Sequence, residues 1–164
     1  HQLCVAWERE AERAGALGVR VCVMRIGVVL DRDGGALAKM LPAFRLGGGG
    51  RLGTGRQYFP WIHREDMAAI CEWLLDNPKA RGAYNASAPA PVTNADFTSA
   101  LGRALARPTV VPVPAAALKL LFGEMSELLL VSDRMLPTRL LEAGFKFRYP
   151  DLAPALAAIL ARRA

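Results

Sequence analysis

The spacing of apolar positions changes at residue 18, and the change predicts a helix followed by a strand. Residues 3–14 carry apolar side chains at the spacing of one helix face, and Gly15 and Gly18 follow as stop signals. The next run, residues 19–30, is mostly apolar and rich in β-branched residues. Such a run is typical of a strand that is covered on both faces inside a parallel sheet. A helix followed by a buried strand is half of a β-α-β unit.

Alternating elements continue to residue 113, and helices are predicted beyond it. Apolar spacing predicts helices over residues 36–45 and 65–76, and Thr93 with Asp96 predicts the start of another helix. Extended segments are predicted over 82–87 and 109–113, and the C-terminal helices over 115–122, 124–131, 137–143 and 152–162. The sequence therefore predicts an α/β fold over residues 1–113, followed by a small, mostly helical C-terminal domain over residues 114–164.

Composition and charge narrow the class of protein. Of the 164 residues, 52% are hydrophobic and 22% are charged, which is ordinary for a globular domain. No apolar run is long enough to span a bilayer, so we expect no membrane partner. The net charge is +6, but basic and acidic residues are interleaved along the chain. This pattern favours a mixed solvated surface over a nucleic-acid site.

The cysteines indicate the cellular compartment of the protein and do not indicate a disulfide or metal site. Cys4, Cys22 and Cys71 form no C-x-x-C pair, and we expect them to be small buried apolar residues. An odd number of cysteines without paired spacing argues against a disulfide framework and predicts a reducing, cytoplasmic location. His1 and His63 are the two imidazoles that could join them, and no ligand spacing is present, so we predict no metal site.

A glycine-rich stretch matches a nucleotide-binding pattern in the wrong context. Residues 48–53 read Gly-Gly-Gly-Arg-Leu-Gly, which fits the G-x-G-x-x-G fingerprint of dinucleotide-binding loops. A working fingerprint follows a strand and opens a helix, so that backbone N–H groups meet the phosphates. Here the stretch follows a predicted helix and precedes residues without helical spacing, Pro60 among them. We therefore interpret it as a mobile loop near a ligand, where glycines let the backbone approach closely.

No self-sufficient catalytic group is predicted in this chain. None of its serines lies in G-x-S-x-G, and no tyrosine is followed four residues later by lysine. His63 precedes the helix predicted over 65–76, without an orienting partner that the sequence identifies. A hydrogen bond from His63 that ties the loop to this helix is therefore favoured over a general base.

Three stretches, taken together and in order, resemble the extended short-chain dehydrogenase/reductases, the superfamily of sugar-nucleotide epimerases and dehydratases. They are Arg25-Ile26-Gly27-Val28, then Gly53-Thr54-Gly55-Arg56-Gln57 with Trp61-Ile62-His63-Arg64-Glu65-Asp66, then Gly82-Ala83-Tyr84-Asn85-Ala86 with Pro91-Val92-Thr93. Two further stretches, residues 28–37 and 140–145, are similar to an epimerase-like branch of the NAD-dependent epimerase/dehydratase family. That branch ends in a helical domain of unknown function.

The resemblance implies a fold, a cofactor and a set of contact residues. Residues 1–113 would be the last part of a Rossmann-like NAD(P)-binding domain with substrate-side insertions, and residues 114–164 the helical lobe. The cofactor would be NAD or NADP in the complete protein, since the phosphate-binding glycines and the Tyr-x-x-x-Lys pair belong to the missing N-terminal half. Cofactor contacts are implied for the backbone around Arg25, Ile26 and Gly27, and substrate contacts for Val28, Met40, Phe44, Gln57, Phe59, Trp61 and His63.

Two departures from the family pattern bear on the substrate. Sugar-nucleotide enzymes usually have Asn at the position of Val28 and Arg at the position of Phe59, and the side chains present here cannot make those polar contacts. A more apolar small-molecule substrate is therefore expected, although packing of the loop explains the aromatic residues equally well.

Two functions stay open on the sequence. The chain is either the substrate-side part of an NAD(P)-dependent epimerase or oxidoreductase, or a non-catalytic binding or regulatory module on the same scaffold. In both cases the strand predicted over 19–30 would leave an unpaired edge. We expect the N-terminal half or a second copy of the chain to cover that edge.

Overall fold

The elements of the computed structural model, which describes residues 2–114, 116, 120 and 131–161, alternate between helices and short strands. The helices are α1 (Gln2–Arg13), α2 (Gly35–Arg45), α3 (Arg64–Asp76), α4 (Asn94–Ala104), α5 (Thr138–Glu142) and α6 (Leu152–Ala161). The strands are β1 (Cys22–Ile26), β2 (Val28–Leu30), β3 (Tyr58–Phe59), β4 (Trp61–His63), β5 (Gly82–Ala86) and β6 (Val92–Thr93). This order confirms the predicted α/β class.

Gly27 separates two strands that the apolar pattern predicts as one. β1 pairs in parallel with β5, whereas β2 pairs in parallel with β4. The Gly27 N–H donates to the carbonyl oxygen of Ala86 (3.0 Å), and the Val28 N–H donates to the carbonyl oxygen of Pro60 (2.6 Å). A Cβ on Gly27 would lie 2.6 Å from that Pro60 oxygen, so the crossing between the two sheets needs a glycine. The single strand predicted over 19–30 is therefore wrong.

β1 is also less covered than predicted. Its first three residues are half-buried, and its last two, Arg25 and Ile26, are exposed. Among the described residues β5 is the one strand that pairs with β1, so the opposite edge of β1 has no partner there. The prediction that this strand is covered on both faces is therefore not met by β1 within the described residues.

Two apolar clusters hold the elements together. The first joins β2, α2, β4, α4 and α6, and the second joins α3, β4, β5 and α5. Their largest fully buried members include Leu30, Leu37, Trp61, Phe97 and Leu156 in the first, and Ile62, Ile70 and Leu140 in the second. Residues 131–161 thus complete both clusters, and the domain boundary at 113/114 remains a prediction.

Most predicted helices are confirmed, and so is the strand predicted over 82–87, which is β5, whereas the segment predicted over 109–113 makes only an isolated bridge at Val113. The predicted capping pattern is present: the Thr93 hydroxyl accepts from the Asp96 N–H, and the Asp96 carboxylate accepts from the Thr93 N–H. β3, β4 and β6 have two or three residues each, too few for an alternating pattern to emerge. Apart from residues 116, 120 and 131, the helices predicted over 115–122 and 124–131 lie outside the described residues.

The burial of the cysteines differs from the prediction. Cys4 is exposed on α1 instead of buried, whereas Cys22 and Cys71 are half-buried. None of the described helices combines the length and the apolar character that a membrane crossing requires.

Candidate functional site

The predicted cofactor residues lie where two parallel strands end together. In the register of β1 and β5, Arg25 lies opposite Asn85 and Ile26 opposite Ala86. The carboxyl ends of parallel strands in α/β folds are the usual place for ligands. The Ile26 side chain is 48% exposed at this edge, and the adjacent Gly27 adds no side chain. The edge therefore exposes an apolar side chain next to a residue without one.

The Arg25 side chain is held by α1. Its Nε donates to Glu8 Oε1 (2.8 Å) and its Nη2 donates to Glu8 Oε2 (2.7 Å), a two-pronged ion pair. The hydrogen bond from Arg25 lowers the pKa of Glu8, and the same contact raises the pKa of Arg25. The Arg25 guanidinium is thus held by Glu8. The part of Arg25 that remains for a ligand at the end of β1 is its backbone.

Five predicted substrate residues lie on one apolar cluster. Phe44 and Trp61 are buried within it, and the half-buried Val28, Met40 and Phe59 pack against it. The Phe59 ring lies 4.3 Å from the ring of Phe97, centroid to centroid. The structure therefore brings these residues together in one core cluster beside Gly27, and we call its half-buried members Val28, Met40 and Phe59 the apolar wall.

Gln57 organises the loop that precedes β3. Its side-chain Nε2 donates to the carbonyl oxygen of Leu52 (3.0 Å). Its backbone carbonyl oxygen accepts from the Asn94 N–H (2.8 Å). Asn94 Oδ1 in turn accepts from the Leu52 N–H (2.8 Å). Sequence reasoning missed Asn94, whose partners are about 40 residues away and leave no local pattern. The buried Gln57 side chain is engaged in shaping the loop.

The glycine-rich stretch is not a nucleotide cradle. It follows α2 and precedes β3, so it opens no helix. A Cβ on Gly49 would lie 2.5 Å from the Phe44 ring, and a Cβ on Gly50 would overlap the carbonyl oxygen of Val111. The close approach that these glycines permit is therefore made with the protein's own chain, and the mobility of the loop remains a prediction.

His63 lies at a junction with the C-terminal part of the chain. Its Nδ1 accepts the Glu65 N–H (3.0 Å), which confirms the predicted tie between the loop and α3. Its ring stacks on Tyr149, with 3.9 Å between centroids. The buried Asp66 carboxylate accepts the N–H groups of Arg148 (2.7 Å) and Tyr149 (3.0 Å). We call His63, Asp66, Arg148 and Tyr149 the junction.

The contacts of His63 within the junction are structural and do not indicate a catalytic base. The imidazole is 2% exposed and serves to cap α3 and to contact Tyr149. Sequence reasoning missed Asp66 as a partner of residues 148 and 149, since nothing near it in the chain marks a contact more than 80 residues away. Among the described residues, no three His, Cys, Asp or Glu side chains are grouped to hold a metal ion.

Known proteins are similar to this chain in sequence and in backbone geometry. Residues 113–159 match a family model described as a domain of unknown function, DUF1731. The mouse epimerase family protein SDR39U1 is 44% identical over 160 residues, which cover 97% of this chain and 54% of the mouse protein. The chain spans about half the length of the curated relatives it matches.

Two solved structures agree with that relationship. Human epimerase family protein SDR39U1, solved with NADPH, has a TM-score of 0.83 at 42% identity, over 86% of this chain and 48% of the human one. A nucleoside-diphosphate sugar epimerase from Corynebacterium glutamicum has a TM-score of 0.74 at 32% identity, over 97% of this chain and 30% of that one. Over nearly its whole length the chain is therefore similar to the epimerase family proteins, and residues 113–159 match the DUF1731 family model.

Proposed function

We propose that this chain supplies the substrate-side part of an NAD(P)-dependent epimerase or oxidoreductase. The observation that carries the proposal is the likeness to the human relative, which was solved with NADPH. A backbone that superposes this well at 42% identity favours the same kind of site at the ends of β1 and β5.

The residues at this edge fit the nicotinamide end of such a cofactor. Ile26 presents an exposed apolar side chain, and Gly27 carries no side chain that could block a flat ring. When bound, NAD(P) would accept or donate a hydride. The Ile26 side chain would exclude water from one face of the ring, and Glu8 would keep the Arg25 guanidinium away from it.

The substrate would lie against the apolar wall that Val28, Met40 and Phe59 form over Phe44 and Trp61. The wall is adjacent to Gly27, because Val28 follows it directly and its N–H donates to Pro60, between Phe59 and Trp61. A small molecule held there would reach the end of β1. The wall would orient it by shape, and the same apolar surroundings would strengthen any polar contact made to it.

A second part of the proposal concerns the uncovered edge of β1. Leu3 and Trp7 on α1 are 60% and 65% exposed, and no residue of α1 is buried. We propose that a segment corresponding to the part of the relatives that this chain does not span, or a second copy, covers β1 and α1. The cofactor phosphates would then be held by that segment, because the described glycine stretch opens no helix.

The test is NADPH fluorescence on the chain expressed together with the upstream region that its relatives possess. We expect binding, and we expect Ile26→Asp to weaken it more than tenfold, since a carboxylate would face the nicotinamide. Val110→Asp, at another exposed apolar residue, should bind like the wild type. Absence of NADPH binding in the complemented wild type would overturn the proposal. Binding without hydride exchange would favour the non-catalytic module.

A further inference from the structure

A short segment of the C-terminal domain crosses the ends of two strands of the candidate site. We call residues 132–136 the strap. The Tyr58 N–H donates to Ser132 Oγ (3.0 Å) at one end of the strap. At the other end, Ser87 Oγ donates to the carbonyl oxygen of Met135 (3.1 Å), and Asn85 Nδ2 donates to that of Leu136 (3.1 Å). Three hydrogen bonds within five residues fix its course.

The anchors of the strap belong to the two halves of the candidate site. Asn85 lies opposite Arg25 in the register of β1 and β5, at the edge proposed for the cofactor. Tyr58 directly precedes Phe59, which is part of the apolar wall. The strap therefore runs from the cofactor edge to the substrate wall, and a ligand that touches both would lie beside it.

Arg134 lies at the middle of the strap and has a free charge. Its guanidinium lies 5.5 Å from the centroid of the Tyr58 ring, and its side chain is exposed. No ion pair joins it to a carboxylate within the part of the chain that the structure describes. Stacking on an aromatic ring orients a guanidinium plane and leaves its N–H edges open to a planar anion.

We propose that the strap forms one wall of the ligand site and that Arg134 binds an anionic group of the ligand, a phosphate or a carboxylate. The identity of the site rests on the proposed function, whereas anion binding by the strap does not require the cofactor. The adjacent Asp133 is also exposed, and its carboxylate opposes an anion. Its presence limits the strength of binding and leaves the directional N–H contacts of Arg134 as the source of selectivity.

The first experiment titrates the chain, expressed together with the upstream region of its relatives, with inorganic phosphate and follows backbone amides by NMR. We expect saturable shifts at Tyr58 and at residues 132–136, with about tenfold weaker binding in Arg134→Gln, as loss of one charge-assisted bond predicts. Arg134→Lys should bind with intermediate affinity, since it keeps the charge without the planar fork. Arg9→Gln, an exposed arginine on α1, is the matched control and should bind like the wild type.

The second experiment identifies the source of the anion, with NADPH titrated into the complemented protein. Equal weakening of phosphate and NADPH by Arg134→Gln would assign the anion to the cofactor, and weakening of phosphate alone would assign it to the substrate. Arg134-dependent phosphate binding without any NADPH binding would leave the strap standing while the proposed function fails. Phosphate binding that is absent, or unchanged in Arg134→Gln, would overturn the strap proposal whatever NADPH does.

Discussion

Asp66 is the residue at which α3 and the C-terminal part of the chain are joined. Its carboxylate is 2% exposed and accepts two backbone N–H groups, from Arg148 and Tyr149. Hydrogen bonds to a charged group stabilise by about 1.5–3 kcal/mol, and a buried donor without an acceptor is costly. A single side chain therefore positions the turn on which Tyr149 stacks against His63.

We predict that Asp66→Asn lowers the free energy of unfolding by about 2 kcal/mol, because the amide has one acceptor oxygen for two donors. Urea unfolding followed by circular dichroism measures the change. Asp76→Asn, at an exposed acid of the same helix, is the control and should change stability by less than about 0.5 kcal/mol. Equal stability of Asp66→Asn and the wild type would contradict the role given to this carboxylate.

Sequence patterns predicted contacts at the residue scale only where the partner is near in the chain. The tie from His63 to the start of α3 follows from its place before a helix, and the structure confirms it. The acceptor role of Asp66 and the loop contacts of Asn94 involve partners about 40 or more residues away. Such contacts depend on how elements pack, which no local spacing encodes.

At the scale of one element, α4 is defined by its first turn. The Thr93 hydroxyl hydrogen-bonds Asp96 and thereby lowers the pKa of its carboxyl group, with the Thr93 N–H as a second donor. A carboxyl pKa lowered by folding stabilises the folded state above the unfolded pKa, and this contribution is lost as the pH falls through the folded pKa.

We predict that Thr93→Ala destabilises the protein by about 1 kcal/mol at pH 7. The difference from the wild type should shrink as the pH falls through the lowered pKa of Asp96, because its carboxyl group is then protonated in both proteins. Thermal unfolding across pH measures both effects. A difference that does not change with pH would argue that Asp96 contributes nothing to the cap.

A second element-scale prediction concerns the crossing between β1 and β2. Gly27→Ala places a methyl group 2.6 Å from the Pro60 carbonyl oxygen and should destabilise the protein by about 1–3 kcal/mol. Gly15→Ala, where nothing lies within 4 Å, is the control. Chemical denaturation measures the change. A Gly27→Ala variant as stable as this control would mean that the two sheets can move apart to make room for the methyl group.

The helices and β5 are thus predictable from the sequence, whereas the division and pairing of the other strands are not. Helices α1 to α6 follow from apolar spacing, start and stop residues and capping pairs. The division of 19–30 into two strands follows from Gly27 meeting Pro60, a contact between segments more than 30 residues apart. The same reason hides β3, β4 and β6, which exist because partners reach them.

At the scale of the whole molecule, α1 and β1 form a side that no other described part of the chain covers. Leu3, Trp7 and Ile26 expose apolar side chains there. We predict that the chain expressed alone associates at micromolar concentration, because an open strand edge with apolar neighbours binds another chain. Light scattering measures the mass. Leu3→Lys with Trp7→Lys should reduce association and Val110→Lys should not, whereas a monodisperse wild-type monomer would contradict the prediction.

One feature of the first cluster bears on how the protein is made. Leu30 on β2 and Leu156 on α6 are both fully buried in it, although they lie far apart in the chain. At about 5–20 residues per second, translation takes roughly 6–24 s to cover the roughly 120 residues between β2 and α6. During that interval the apolar faces of β2, α2 and α4 remain exposed to solvent on the nascent chain. Holdase chaperones that bind such surfaces on the ribosome are therefore expected to set the yield of soluble protein.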